Sequence, residues 1–101
     1  MKSSIPLAEE FVEAVISRQK RTTIRAGRRN YALGPTQLTS AKHKVPVLIV
    51  GVRYKRFEDL TDADALADGF ESIRNLNAVL RRFYPALKPS DVVTIVEFSP
   101  L

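Results

Sequence analysis

The 101-residue sequence contains no cysteine and a single histidine, His43. Neither a disulfide framework nor a Cys/His zinc site can be assembled from it, and no metal or other cofactor is expected. Long apolar runs are missing too. The longest, "VPVLIVGV" from Val45 to Val52, is far short of the roughly 20 residues that cross a bilayer. The N-terminal "MKSSIPLAEE" turns acidic where a signal peptide requires an apolar stretch. No membrane partner is therefore expected, and the expected compartment is the cytoplasm.

Negative charge is absent from a long internal block. Between Glu13 and Glu58 there is no Asp or Glu, yet eleven Lys and Arg lie there, from Arg18 to Arg56. The acids gather on either side, at Glu9, Glu10 and Glu13 and again from Glu58 to Glu71, and the net charge is +5. Such segregation produces a field of one sign over part of the surface and draws in polyanions, of which nucleic acid is the obvious one. A hydrophobic content of 45% is enough for one core, so one domain over residues 1–101 is expected.

Periodicity places the residues on elements. From Leu7 to Arg18 the apolar positions recur at helical spacing, with acids early, where they suit the helix dipole. "RTTIR", Arg21 to Arg25, reads as a strand with Arg21, Thr23 and Arg25 on one face and Thr22 and Ile24 on the other. Lys20 sits at the bend before it. "AGRRNYALGP" is a loop by its turn residues, and "TQLTS" a short strand after it. Val45 to Tyr54 predicts a strand buried on both faces, with a bend or bulge at Gly51. Thr61 and Asp64 mark the start of a helix that ends at Gly69; Ser72 opens another that runs until Pro85 forbids continuation. Asp91 to Phe98 closes the chain as a strand apolar on both faces. The pattern is α+β.

Within the basic block, Lys20, Thr23 and Arg25 in "KRTTIR" resemble the Lys-x-x-Thr-x-Arg signature of the ASCH family. The order of elements around it, through "FEDLTDADALADGFES" to Tyr84-Pro85 and a final Val96-Glu97-Phe98, follows that family over about nine tenths of the chain. The resemblance implies a PUA-like fold, a small curved β-barrel with flanking helices and a cleft, and a nucleoside or RNA partner. It also implies a similarity to a small bacterial branch that hydrolyses acetylcytidine to cytidine and acetate, with Lys20, Thr23 and Asp68 in the catalytic positions. Two departures are evident: Arg21 stands where the signature usually has threonine, and Pro35 follows Gly34 where an acid is common. A third lies at Asp68, where that branch has glutamate. Aspartate is one methylene shorter, so its carboxylate falls about 1.5 Å short unless the helix sits closer.

The chemistry fits these residue types. Amide hydrolysis on the exocyclic amine of cytosine requires a nucleophile, a base and a donor for the oxyanion. Thr23 supplies the oxygen. Lys20 serves as base if its amine is partly neutral; like-charge repulsion from Arg18, Arg21 and Arg25 favours that and Asp68 opposes it. Asp68 orients the lysine or protonates the leaving amine, and Arg25 holds the oxyanion, the base or a phosphate. Arg21, Arg28 and Arg29 are candidate substrate contacts. Tyr31 either stacks on a base or pins its loop to the core. A non-catalytic RNA-binding module and a ribonuclease are the alternative readings of the same cleft.

Overall fold

The structure, a computed structural model, describes residues 4–101. Residues 1–3, the first part of the stretch weighed above as a leader, lie outside the described residues. Five strands form one sheet in the order β1-β3-β4-β5-β2: β1 (Ser4–Pro6), β2 (Thr22–Ala26), β3 (Gly34–Thr39), β4 (Lys44–Arg56) and β5 (Val92–Pro100). All neighbours are antiparallel except β1 and β3, which run parallel. Three helices flank the sheet: α1 (Val12–Ile16), α2 (Asp62–Ala67) and α3 (Ile73–Phe83). None of the described helices is long and apolar enough to cross a membrane.

The strands expected at "RTTIR", Val45 to Tyr54 and Asp91 to Phe98 all form and lie in one sheet, with β5 between β4 and β2. Its apolar residues on both faces explain this central place. Val93 and Ile95 enter one core with Ile24 and with Leu76 and Leu80 of α3. Val96 and Phe98, on the other face, pack with Leu7, Val12 and Val15 from the N-terminal segment. Leu76 is fully buried, and its truncation to alanine is expected to cost about 2–5 kcal/mol.

Both long-sighted helix ends are as expected. Thr61 caps α2 through a reciprocal capping box with Asp64. The helix ends at Ala67 with Asp68 as its C-cap, and Gly69 follows with a φ of +89° that favours glycine. Ser72 caps α3 by accepting the Asn75 N–H, and the helix ends at Tyr84, before Pro85.

Several expectations are corrected. The first helix does not span Leu7 to Arg18: the Leu7 N–H is still bonded to Thr39 O, so a short 3-10 turn over Glu9–Phe11 must intervene before α1. The strand β1 was not anticipated, being three residues long. Strand β4 is not buried on both faces. Val47 and Ile49 are buried, but Val50 is 45% exposed, because helices and the N-terminal segment cover only one side there. The register shift lies between Ile49 and Gly51, so the bulged residue is Val50 rather than the glycine. Nor is the sheet closed into a barrel: β1 and β2 stand at opposite ends of the strand order. Pro6 has no N–H to offer a ladder, and the seam is spanned instead by a hydrogen bond from the Arg25 guanidinium to the Pro6 carbonyl.

Candidate active site

That seam opens into a cleft of about 390 Å³, within the range of small-molecule sites, about 300–1,000 Å³. The N-terminal segment at Leu7 and Phe11 forms one wall and α3, from Val79 to Tyr84, the other; β2 and the end of α2 form the floor. Lys20 reaches the floor because the chain reverses after α1. Arg18 takes a left-handed conformation, φ 69°, and the Lys20 N–H returns to Ala14 O at 3.0 Å. Lys20 then makes an isolated bridge to Asp68, the residue that ends α2.

The side chains meet as closely as the backbones. Lys20 Nζ donates to Asp68 Oδ1 at 2.9 Å and to the Asp68 carbonyl at 3.3 Å. The Thr22 hydroxyl donates to the same Oδ1 at 2.9 Å. Lys20 and Asp68 are each only 4% exposed. The helix end lies close against the lysine: a Cβ added to Gly69 would stand 3.2 Å from Lys20 Cβ, tighter than ordinary contact. Glycine is required here twice over, for its positive φ and for this contact.

Phenylalanines surround the pair. Lys20 Nζ lies 5.4 Å from the centre of the Phe11 ring and 5.9 Å from that of Phe70, and these two rings pack edge to face. Phe83 closes on Phe11 from α3 at 6.1 Å. The result is a largely solvent-excluded environment of low dielectric. Burial pushes the Lys20 amine below the ordinary 10.5, against the raising effect of Asp68, and Arg25 lowers it further. Burial likewise pushes the Asp68 carboxyl above 3.8, against the opposing effects of Lys20, Thr22 and Arg25. Both shifts favour the uncharged forms, which differ from the ion pair by one proton moved along a 2.9 Å hydrogen bond.

Thr23 and Arg25 line the cleft with Lys20 and Asp68. Thr23 is 1% exposed, and among the described residues no hydrogen bond engages its hydroxyl. Arg29 lines the cleft as well. The other candidates lie outside the lining. Arg21 is exposed, its N–H bonded to Ala67 O at 2.7 Å. The Arg28 guanidinium stacks 4.0 Å from the centre of the Tyr54 ring. Tyr31 packs against the core on the α1 side of the sheet, which holds its loop down. Sequence reasoning missed the aromatic wall, where the helical spacing of Phe11 and the position of Phe70 after Gly69 were the available signals. It also missed the Thr22 hydroxyl on Asp68.

Among the described residues no group of three or more His, Asp or Glu could hold a metal ion. No sequence-family model matches the chain, and no curated protein matches it in sequence. Solved structures do match. An ASCH domain from Lactobacillus crispatus superposes with a TM-score of 0.80 at 12% identity, covering 98% of this chain and 80% of that one. A Pyrococcus furiosus protein solved by NMR aligns with a TM-score of 0.65 at 25% identity, covering 100% of this chain and 98% of the other. An ASCH protein of Zymomonas mobilis aligns with a TM-score of 0.68 at 15% identity over 95% of this chain and 66% of its own. An order of helices and strands that the signature residues implied, and a backbone that superposes on ASCH structures over nearly its whole length, give this chain the ASCH-domain fold.

Proposed function

We propose that the cleft is the active site of an amidohydrolase that cleaves the acetyl group from the exocyclic amine of acetylated cytidine, yielding cytidine and acetate. The observation that carries this reading is the buried Lys20–Asp68 pair, set among phenylalanine rings beside the unengaged Thr23 hydroxyl. A lysine whose pKa is depressed gives up its proton more readily than an exposed one, which favours its use as a general base. The neutral Lys20 amine takes the Thr23 proton as Oγ1 attacks the acetyl carbonyl. The C–N bond then breaks, the Lys20 ammonium protonates the departing amine, and cytidine leaves. Water attacks the acetyl ester on Thr23, passing one proton to Lys20, which returns it to Thr23 Oγ1 as acetic acid leaves and gives its remaining proton to solvent to become acetate. Asp68 holds the amine in place throughout, and the phenylalanine faces offer a stacking surface for the base.

A second reading, a non-catalytic RNA-binding module, is favoured by the exposed basic rim at Arg28 and Arg29. One experiment separates them: purified protein is incubated with a panel of acetylated nucleosides and read by mass. Loss of the acetyl mass from acetylcytidine, absent in Thr23→Ala, supports the hydrolase. An unchanged panel with measurable RNA binding supports the module.

A further inference from the structure

We propose that the free edge of β2 seats a phosphate group of the ligand, so that the cleft takes a phosphorylated nucleoside, a nucleotide or a nucleotide unit of a strand, in preference to a bare nucleoside. The inference rests on the reading of the cleft as a nucleoside site and adds what its neighbouring donors recognise.

Strand β2 pairs on one side only, with β5. Two bonds fix which of its groups face inward: Phe98 N–H to Arg21 O, and Gly27 N–H to Val92 O. Antiparallel pairing alternates, so Arg21, Thr23, Arg25 and Gly27 bond to β5, while the N–H and C=O of Thr22, Ile24 and Ala26 point to the open edge. An open edge normally offers donors and acceptors in turn. At Ile24 and Ala26 the acceptors are taken. Arg25 Nη1 donates to Ile24 O at 3.4 Å, and Arg29 Nε donates to Ala26 O at 3.0 Å. What remains beside Thr23 is the Ile24 N–H, which has no partner among the described residues, and the remaining N–H groups of two guanidiniums. The edge has become an array of donors.

Its charge agrees. The charged side chains that line the cleft are Lys20, Arg25, Arg29 and Asp68. Lys20 and Asp68 balance each other. Neither Arg25 nor Arg29 forms an ion pair among the described residues, so the cleft carries two uncompensated positive charges. A neutral nucleoside does not answer them, and a phosphate does. The array is also held in place. Arg25 is tied at both ends, to Ile24 O and across the seam to Pro6 O. The loop that carries Arg29 is pinned by Thr94, a fully buried residue of β5, whose hydroxyl accepts the Arg29 N–H at 2.8 Å and donates to Gly27 O at 2.7 Å. Donors fixed before the ligand arrives lose little entropy on binding.

The test is calorimetric titration of the full chain with cytidine, cytidine 5′-monophosphate, cytidine 3′-monophosphate and a short oligocytidine. None of these carries an acetyl group, so the result does not depend on hydrolysis. At least one phosphorylated ligand should bind about tenfold or more tightly than cytidine at low salt, with an advantage that shrinks as salt is added. Arg29→Gln, at an exposed position, should reduce the advantage to about threefold or less, and Arg25→Gln should do the same if its melting curve shows the fold retained. A preference carried by a monophosphate identifies a free nucleotide; one carried by the oligomer alone identifies a strand phosphodiester. Equal affinity for all four ligands, or a preference that survives Arg29→Gln undiminished, overturns the proposal. Nucleotide preference without acetate release would retire the hydrolase reading and leave the phosphate seat standing.

Discussion

Asp64 and Asp68 stand one helical turn apart at α2, and both are buried, at 5% and 4% exposure. Their surroundings differ in kind. Asp64 accepts from Lys55 at 2.6 Å, from Arg53 at 3.0 Å and from the Thr61 N–H at 2.9 Å. Burial alone would raise its pKa, but these partners outweigh it and draw the carboxyl down to about 2. Both cations keep part of their side chains in water, with Arg53 46% exposed, so the cost of desolvating them is small. Asp68 has one cationic partner, and that partner is as buried as itself. Burial outweighs Lys20, Thr22 and the more weakly acting Arg25, and the carboxyl moves the opposite way. Burial of an acid does not by itself decide its protonation; the number of its partners and their contact with solvent do. Asp64 is a staple from α2 to β4, and Asp68 is half of a buried Lys–Asp pair.

The largest expected effect comes from the cleft. Thr23→Ala should lower acetylcytidine turnover by about 10³-fold or more without lowering the melting temperature much, and adding Lys20→Ala should cost little further, because groups that act as one unit do not lose their effects additively. Acetate release by the single and double variants checks this. Next in size is the contrast between the two acids. Asp68→Asn should reduce kcat by about a hundredfold, whereas Asp64→Asn should leave kcat within about twofold and cost on the order of 1–2 kcal/mol of stability. Steady-state kinetics beside urea melts would break the comparison if both variants lost activity equally.

Asp68→Glu sharpens it further. The carboxylate already meets the amine at 2.9 Å over a glycine contact, so an added methylene overfills the site. The expected outcome is a loss of about tenfold in turnover, from overpacking worth about 1–3 kcal/mol; a gain would mean that the cleft is built for the longer acid. The smallest effect is on acid stability. The folded pKa of Asp64 lies below its unfolded value of 3.8, so its contribution is complete above about pH 5 and is lost as pH falls toward 2. Asp64→Asn should flatten that part of the stability profile, as urea melts between pH 2 and 5 would record.

How far the sequence foretold this site varies with the range of the interaction. The period of two placed Thr23 and Arg25 on one face of β2, and the cap residues Thr61, Ser72 and Gly69 placed α2 and α3, because these signals are local to a few residues. The phenylalanines around Lys20 were not legible: Phe11, Phe70 and Phe83 come from three separate segments and meet only through the tertiary fold. For the same reason the low pKa of Lys20 was assigned to repulsion from Arg18, Arg21 and Arg25, whereas burial is the chief cause and Arg25 the one arginine that adds to it. The closed barrel failed on a residue that could have been weighed, since Pro6 at the edge has no N–H with which to extend a ladder.

The account turns on the state of Lys20, and that can be measured without a substrate. Heteronuclear NMR of the lysine side chains across a pH titration, with the Lys20 signal assigned by its loss in Lys20→Arg, follows each amine separately. The account predicts that Lys20 titrates at the lowest pH of the lysines, below the ordinary 10.5, and that Arg25→Gln raises its midpoint by removing a like charge. A Lys20 that titrates at 10.5 or above would contradict it.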